Sequence, residues 1–197
     1  QFGKDTAVYA GDYLLTGMLS LLNDANNAQA NQLALEALKK ILFGELTQKQ
    51  NRYITSTSFD KYLTQITGKT AALFKLSVLF GATSSGTLDE DLLDVVGKLG
   101  KNLGIAFQLL DDYLDFESIT EQLSLGKPSG QDVRNGIYTA PIIFALEDQN
   151  VNEELIALLS LKDTITDEQL ILIHKIVADS NAMLRLNTLL SEYTEEL

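Results

Sequence analysis

Cysteine and tryptophan are absent from this 197-residue chain, histidine occurs once and proline twice. Without cysteine there is no disulfide, no thiolate nucleophile and no zinc–thiolate site. The lone His174 excludes any multi-histidine metal centre, and its place in the apolar run Leu170-Ile171-Leu172-Ile173-His174-Lys175-Ile176 points to a structural role. Basic residues are scarce: 15 Lys and Arg stand against 27 Asp and Glu, a net charge of −12. That balance argues against nucleic acid and against anionic membrane surfaces as partners. No apolar stretch reaches the length of a transmembrane helix, and Gln1-Phe2-Gly3-Lys4-Asp5 lacks the basic-then-apolar order of a signal peptide. The expectation is a cytoplasmic protein. An initiating methionine is also lacking, so the chain reads as one that begins inside a longer protein.

What is present is helical periodicity. Hydrophobic residues make up 45% of the chain, sufficient for a substantial core, and they recur at three- and four-residue spacing nearly throughout. Val8, Leu14, Leu15, Met18, Leu19 and Leu22 mark a first helix starting near Asp5; Leu33, Leu35, Leu38, Ile41, Leu42 and Leu46 mark a second. A third spans about 58–81. Thr87 with Glu90 reads as a capping box opening a fourth helix that continues to about Phe116. Gly97, Gly100 and Gly104 punctuate that helix and allow close packing or a bend. Further helices are expected over roughly 135–148, 151–161, 166–179 and 181–193, the third of these capped by Thr166 and Gln169. The expectation is one all-α domain over 1–197.

The densest chemistry lies in Phe107-Gln108-Leu109-Leu110-Asp111-Asp112-Tyr113-Leu114-Asp115-Phe116. On a helix, Asp111, Asp112 and Asp115 fall within roughly a 100° arc, with Gln108 one turn earlier on the same edge. Carboxylates crowded at the border of a core require a cation. Hard oxygen ligands suit magnesium, which usually shares its shell with phosphate oxygens when protein carboxylates are few. A loop follows, Leu125-Gly126-Lys127-Pro128-Ser129-Gly130-Gln131-Asp132, able to bring a lysine and a fourth carboxylate back over the acidic end. Upstream, Gly68-Lys69-Thr70 interrupts an apolar helix, and a lysine there must snorkel or find an anion. It is not a Walker loop, whose earlier glycine is missing, and the acidic segment is not an EF-hand, which needs glycine at its sixth position.

These residues, taken in order, resemble the trans-type (all-E) polyprenyl diphosphate synthases. The similarity rests on Phe107-Gln-Leu-Leu-Asp111-Asp112-Tyr-Leu-Asp115, on Gly126-Lys127-Pro-x-Gly130-x-Asp132, and on Gly136-x-x-Thr139-x-Pro141. Lys69-Thr70-Ala71, Gly44-Glu45-x-x-Gln48 and the segment Ala7 to Leu15 match family segments as well. The resemblance covers about residues 3–147. It implies an isoprenoid synthase-type bundle of long, mostly antiparallel helices around a central cavity, incomplete here, with this chain as the downstream portion of a larger prenyl synthase domain.

By resemblance, an allylic diphosphate is ionised with the help of Mg2+ and the cation is attacked by isopentenyl diphosphate. Asp111 would bind magnesium, Asp112 and Asp115 would orient its waters or support Asp111, and Asp132 would act on the same metal through water. Lys69 and Lys127 would bind pyrophosphate oxygens, Phe107 would line the substrate cavity, and Thr70 and Gln108 would turn oxygen dipoles toward the allylic cation. Glu45, Gln48 and Asp12 are left as supporting residues. A homodimer is implied, formed through helices near the start of this chain.

The pattern is broken in two places. The family's first aspartate-rich motif, followed by paired arginines, is missing, and the isolated 197 residues are expected to be inactive. Ile137 stands where many relatives have lysine in the pyrophosphate site, and Arg134 is the nearby candidate to replace it. The alternative from another class is a non-catalytic partner subunit of a heteromeric prenyl diphosphate synthase.

Overall fold

Apolar spacing becomes helix along nearly the whole chain. The computed structural model describes residues 3–84, 89–126 and 129–195. In order these form α1 (Lys4–Asp24), α2 (Ala28–Gln50), α3 (Phe59–Ile66), a π-helical turn (Thr67–Ala71), α4 (Ala72–Ser84) and α5 (Glu90–Glu117). Then come α6 (Ile119–Ser124), α7 (Gln131–Arg134), α8 (Ala140–Leu146), α9 (Asn152–Leu159), a 3-10 turn (Lys162–Thr164), α10 (Asp167–Asp179) and α11 (Ala182–Glu195). No strand occurs among the described residues.

The helix ends follow local chemistry. At α10 the expected capping box forms: Thr166 Oγ1 accepts from the Gln169 amide at 3.3 Å, and Gln169 Oε1 accepts from the Thr166 amide at 2.9 Å. At α5 the cap observed is Asp89, which accepts from the Leu92 amide at 3.1 Å; Thr87 lies outside the described residues. The third expected helix is not continuous, since the π turn separates α3 from α4. The helix expected over 135–148 is shorter and later. Gly136 sits at φ +71 beside the Tyr53 backbone and ring, where a Cβ would fall 2.4–2.6 Å from Tyr53 atoms. Only glycine suits that turn. The helix restarts at Ala140, with Pro141 in its first turn where no amide hydrogen is required.

Glycines set how closely the helices approach. A Cβ on Gly104 would lie 2.6 Å from Ala71 Cα, and one on Gly100 would lie 2.9 Å from Lys75 Cα. Gly97 meets Lys75 and Leu79 instead, so α4 and α5 run antiparallel in near backbone contact, and α5 stays one unbroken helix. The main core lies beyond this seam, where Ile105, Leu109, Ile142, Ile143, Leu170 and Leu186 are fully buried. His174 belongs to that side, stacked on Phe116 with ring centroids 4.9 Å apart, in the structural role expected of it. Burial pushes its imidazole below its ordinary value, against the opposing pull of Glu117. At the other end α1 buries nothing; Val8 is 61% and Tyr13 78% exposed.

The seam makes a direct prediction. Gly104→Ala forces α4 and α5 apart and lowers stability by about 1–3 kcal/mol. Gly81→Ala, in open space, leaves it unchanged or raises it by about 0.5–1 kcal/mol. Urea unfolding of the two variants checks this, and equal effects would contradict it.

Candidate active site

The site is built where the π turn meets α2 and α5. Five residues, Thr67–Ala71, take the wide turn, and α2 crosses directly over it. A Cβ on Gly44 would lie 2.8 Å from the Lys69 amide nitrogen, and one on Gly68 would lie 3.1 Å from the Lys40 carbonyl oxygen. Bulges of this kind re-aim side chains and recur at functional sites. Here the bulge carries Lys69 and Thr70. Lys69 Nζ donates to Gln48 Oε1 at 2.9 Å and lies 3.4 Å from Glu45 Oε1. Glu45 and Gln48 therefore hold the lysine, a role their i, i+3 spacing on α2 permits.

Thr70 faces α5. Its hydroxyl donates to Gln108 Oε1 at 2.6 Å, and Gln108 Nε2 donates to Asp112 Oδ1 at 2.9 Å. The other Asp112 oxygen accepts from the Tyr62 hydroxyl on α3, and the carboxylate also accepts from the Ala140 amide at the start of α8. Asp112 is only 6% exposed. Burial pushes its carboxyl up to about 6, while the bonds from Tyr62, Gln108 and Ala140 oppose that shift. Burial first, then the adjacent carboxylate, pushes the Tyr62 phenol well above its ordinary value, so it stays protonated and donates to Asp112.

The remaining carboxylates face solvent. Asp111, Asp115 and Asp132 are exposed, and Gln108 Nε2 approaches Asp111 Oδ2 at 3.4 Å. Desolvation pushes the Asp115 carboxyl up, and Asp111 and Asp132 push it further. Asp132 is raised by desolvation and by Asp111, with Lys69 pulling the other way. None of these three, nor Asp112, has an ion-pair partner among the described residues. Nor do three acidic or histidine side chains converge to hold a metal there by themselves. A cleft of about 210 Å³ opens beside this face, lined by Asp115, Asp132, Ile137 and Thr139 among others.

Two expectations are corrected. Asp112 does not share an open metal-facing edge with Asp111: the α5 rotation of about 100° between neighbours turns it into the core, where its oxygens are taken. Arg134 does not take the place of a lysine at 137; its guanidinium is paired with Asp167 at the start of α10, and its backbone oxygen accepts from Tyr53. Phe107 is exposed (52%) and meets Phe74 with ring centroids 5.2 Å apart and planes tilted by 40°, next to the Thr70–Gln108 contact. Lys127 lies outside the described residues. Tyr62 went unnoticed in the sequence, where its only signal is an aromatic placed seven residues before Lys69 on the buried side of α3.

Comparison with known proteins concerns the chain as a whole. Residues 1–177 match the family model for polyprenyl synthetase. A chloroplastic solanesyl diphosphate synthase 1 from Arabidopsis thaliana is 37% identical over 155 residues, 79% of this chain and 37% of its own length. Heptaprenyl diphosphate synthase component 2 from Bacillus subtilis is 34% identical over 149 residues, 76% of this chain and 42% of its own. The chain thus spans about two fifths of these relatives. Among solved structures, a polyprenyl synthase from Caulobacter crescentus complexed with calcium and isoprenyl diphosphate superposes with a TM-score of 0.85 at 29% identity, over 98% of this chain and 58% of that one.

The two kinds of carboxylate should respond oppositely to neutralisation. In chelator, Asp115→Asn leaves the thermal midpoint unchanged or higher, because it removes mutual repulsion, and it weakens binding of added Mg2+. Asp112→Asn replaces one acceptor oxygen by an amide N–H facing a group that now donates to it, and costs about 1–3 kcal/mol. Thermal unfolding with and without Mg2+ checks both, and a large loss from Asp115→Asn without metal would contradict the reading.

Proposed function

The chain belongs to the polyprenyl synthetase family, and on that premise we propose that it carries the diphosphate-ionising part of a prenyltransferase. The reaction joins an allylic diphosphate to isopentenyl diphosphate and yields a longer all-trans polyprenyl diphosphate. The observation that carries this reading is the juxtaposition of Lys69, the Thr70–Gln108 pair and the exposed carboxylate of Asp111 at one corner of three helices.

The carboxylates suit a hard divalent cation. Desolvation first, and then the charge of Asp111, pushes both Asp115 and Asp132 up, with Lys69 opposing at Asp132, as expected of crowded oxygens without an ion-pair partner. Asp111 is the direct ligand in this proposal, with Asp115 and Asp132 holding its waters, and the metal is Mg2+. Magnesium, when bound, supplies positive charge that neutralises the diphosphate as a leaving group. Calcium and an isoprenyl diphosphate named with a relative of this fold are consistent with that assignment.

The chain's own groups do the rest. Lys69 exchanges Gln48 and Glu45 for diphosphate oxygens, a charge-assisted bond aimed at the leaving group. As the allylic C–O bond breaks, its electron pair leaves with pyrophosphate, and the Thr70 oxygen faces the carbon left positive. The isopentenyl double bond then forms the new C–C bond, and the proton lost from the adjacent carbon goes to a pyrophosphate oxygen. Phe107 and Phe74 present ring surface that keeps water from the cation. We propose a homodimer that covers the exposed side chains of α1. No described helix is long and apolar enough to cross a membrane, and a cytoplasmic site suits the charged substrates. A second reading, as the partner subunit of a two-component enzyme, is favoured by the relative named component 2.

The test is product formation by the full-length protein with an allylic diphosphate, labelled isopentenyl diphosphate and Mg2+. The expected result is elongated product, lost on chelation and reduced at least about a hundredfold by Asp111→Ala. No product from the wild-type protein alone would favour the partner-subunit reading. Ile137 lines the cleft beside Asp132, so Ile137→Lys should tighten pyrophosphate binding in calorimetry by about tenfold, the order of one charge-assisted hydrogen bond. Unchanged or weaker binding would count against the placement of the diphosphate.

A further inference from the structure

We propose that Tyr62 is a positioning residue that sets, through Asp112 and Gln108, the direction in which the Thr70 hydroxyl points. The inference deepens the prenyl-transfer reading and rests on it. Thr70 behaves unlike other helical threonines of this chain. Thr47, Thr64, Thr83, Thr188 and Thr194 each donate to the carbonyl four residues earlier, at 2.8–3.0 Å. That is the default for a helical threonine. Thr70 instead donates across to Gln108 Oε1 at 2.6 Å.

The direction of every hydrogen in the chain follows from its buried end. Tyr62 donates to Asp112, and so does the Ala140 amide. An acceptor-only carboxylate requires a donor from Gln108 as well, so the amide must turn Nε2 toward Asp112 and Oε1 toward the π turn. The Gln108 oxygen then needs a donor, and Thr70 gives its single hydrogen. What remains on the open side is the pair of Thr70 lone pairs. Gln108 therefore does not itself turn an oxygen toward the allylic carbon, as the family resemblance implies; its oxygen is spent on Thr70. Without the Tyr62 hydroxyl the carboxylate is free to rotate, the amide loosens, and Thr70 can return its hydrogen to its own helix.

Tyr62 and Thr70 share no hydrogen bond, so their effects on rate multiply unless this chain couples them. The experiment is a double-mutant cycle of Tyr62→Phe and Thr70→Val in the full-length protein, reading kcat, KM for the allylic diphosphate and thermal midpoint. Tyr62→Phe alone is expected to lower kcat by about 10–100-fold with KM within about twofold. In the Thr70→Val background it should lower kcat by less than about twofold. Tyr62→His, which keeps a donor, should recover most of the lost kcat; if Tyr62→Phe fails to fold, Tyr62→Leu, which likewise lacks a donor, replaces it in the cycle. Multiplicative effects on kcat, or a change confined to KM, overturn the proposal. An inactive wild-type protein defeats the prenyl-transfer reading, whereas an active one with a multiplicative cycle defeats this inference alone.

Discussion

One buried carboxylate ties the molecule together at its functional corner. Asp112 on α5 accepts from Tyr62 on α3, from Gln108 on its own helix and from the first amide of α8. Removing a charge from water is costly unless donors replace the lost hydration. Here three donors do so, from three directions. The same requirement that makes Asp112 tolerable in the core also fixes where α3 and α8 sit relative to α5. Packing and chemistry share one constraint, because the group that registers the helices also orients Gln108 and, through it, Thr70.

Around that point, close backbone contact sets the geometry. Gly44 lets α2 cross the π turn at Lys69, and Gly104 lets α5 lie against Ala71 at the end of the same turn. The bulge is thus clamped from both sides by positions where any side chain would collide. Lys69 and Thr70 project from it in different directions, one toward Gln48 and one toward Gln108. The exposed carboxylates follow along α5 and on α7; desolvation and then Asp111 push Asp115 up, and no ion pair to any of them forms among the described residues. A rigid set of dipoles beside an incomplete charge balance is what an ionising site for an anionic leaving group needs.

Much of this was legible in the sequence, and the exceptions have physical reasons. Hydrophobic spacing located α1, α2 and α5 because an apolar stripe repeats over many turns, even on α1, whose stripe this chain leaves uncovered. The Thr166–Gln169 cap was legible because its chemistry is local. The π turn was not, since one added residue in five leaves no period to read, although Gly68-Lys69-Thr70 marked the place. Asp111 and Asp112 are the same residue type side by side; only the packing of Tyr62 against α5 decides which one faces inward. Arg134 finds Asp167 across 33 residues of chain, a partnership that proximity in sequence could not suggest. The short α8 was recoverable in principle, from Gly136 and Pro141 read as conformational limits and not as motif letters.

The account is tested most directly by a crystal structure of the full-length protein with Mg2+ and an unreactive allylic diphosphate analogue. It should show Asp111 on the metal, Lys69 moved from Gln48 to the diphosphate, and Asp112 still holding Tyr62, Gln108 and Ala140. A diphosphate bound away from this corner, or Asp112 swung out of the core to take the metal, would contradict it.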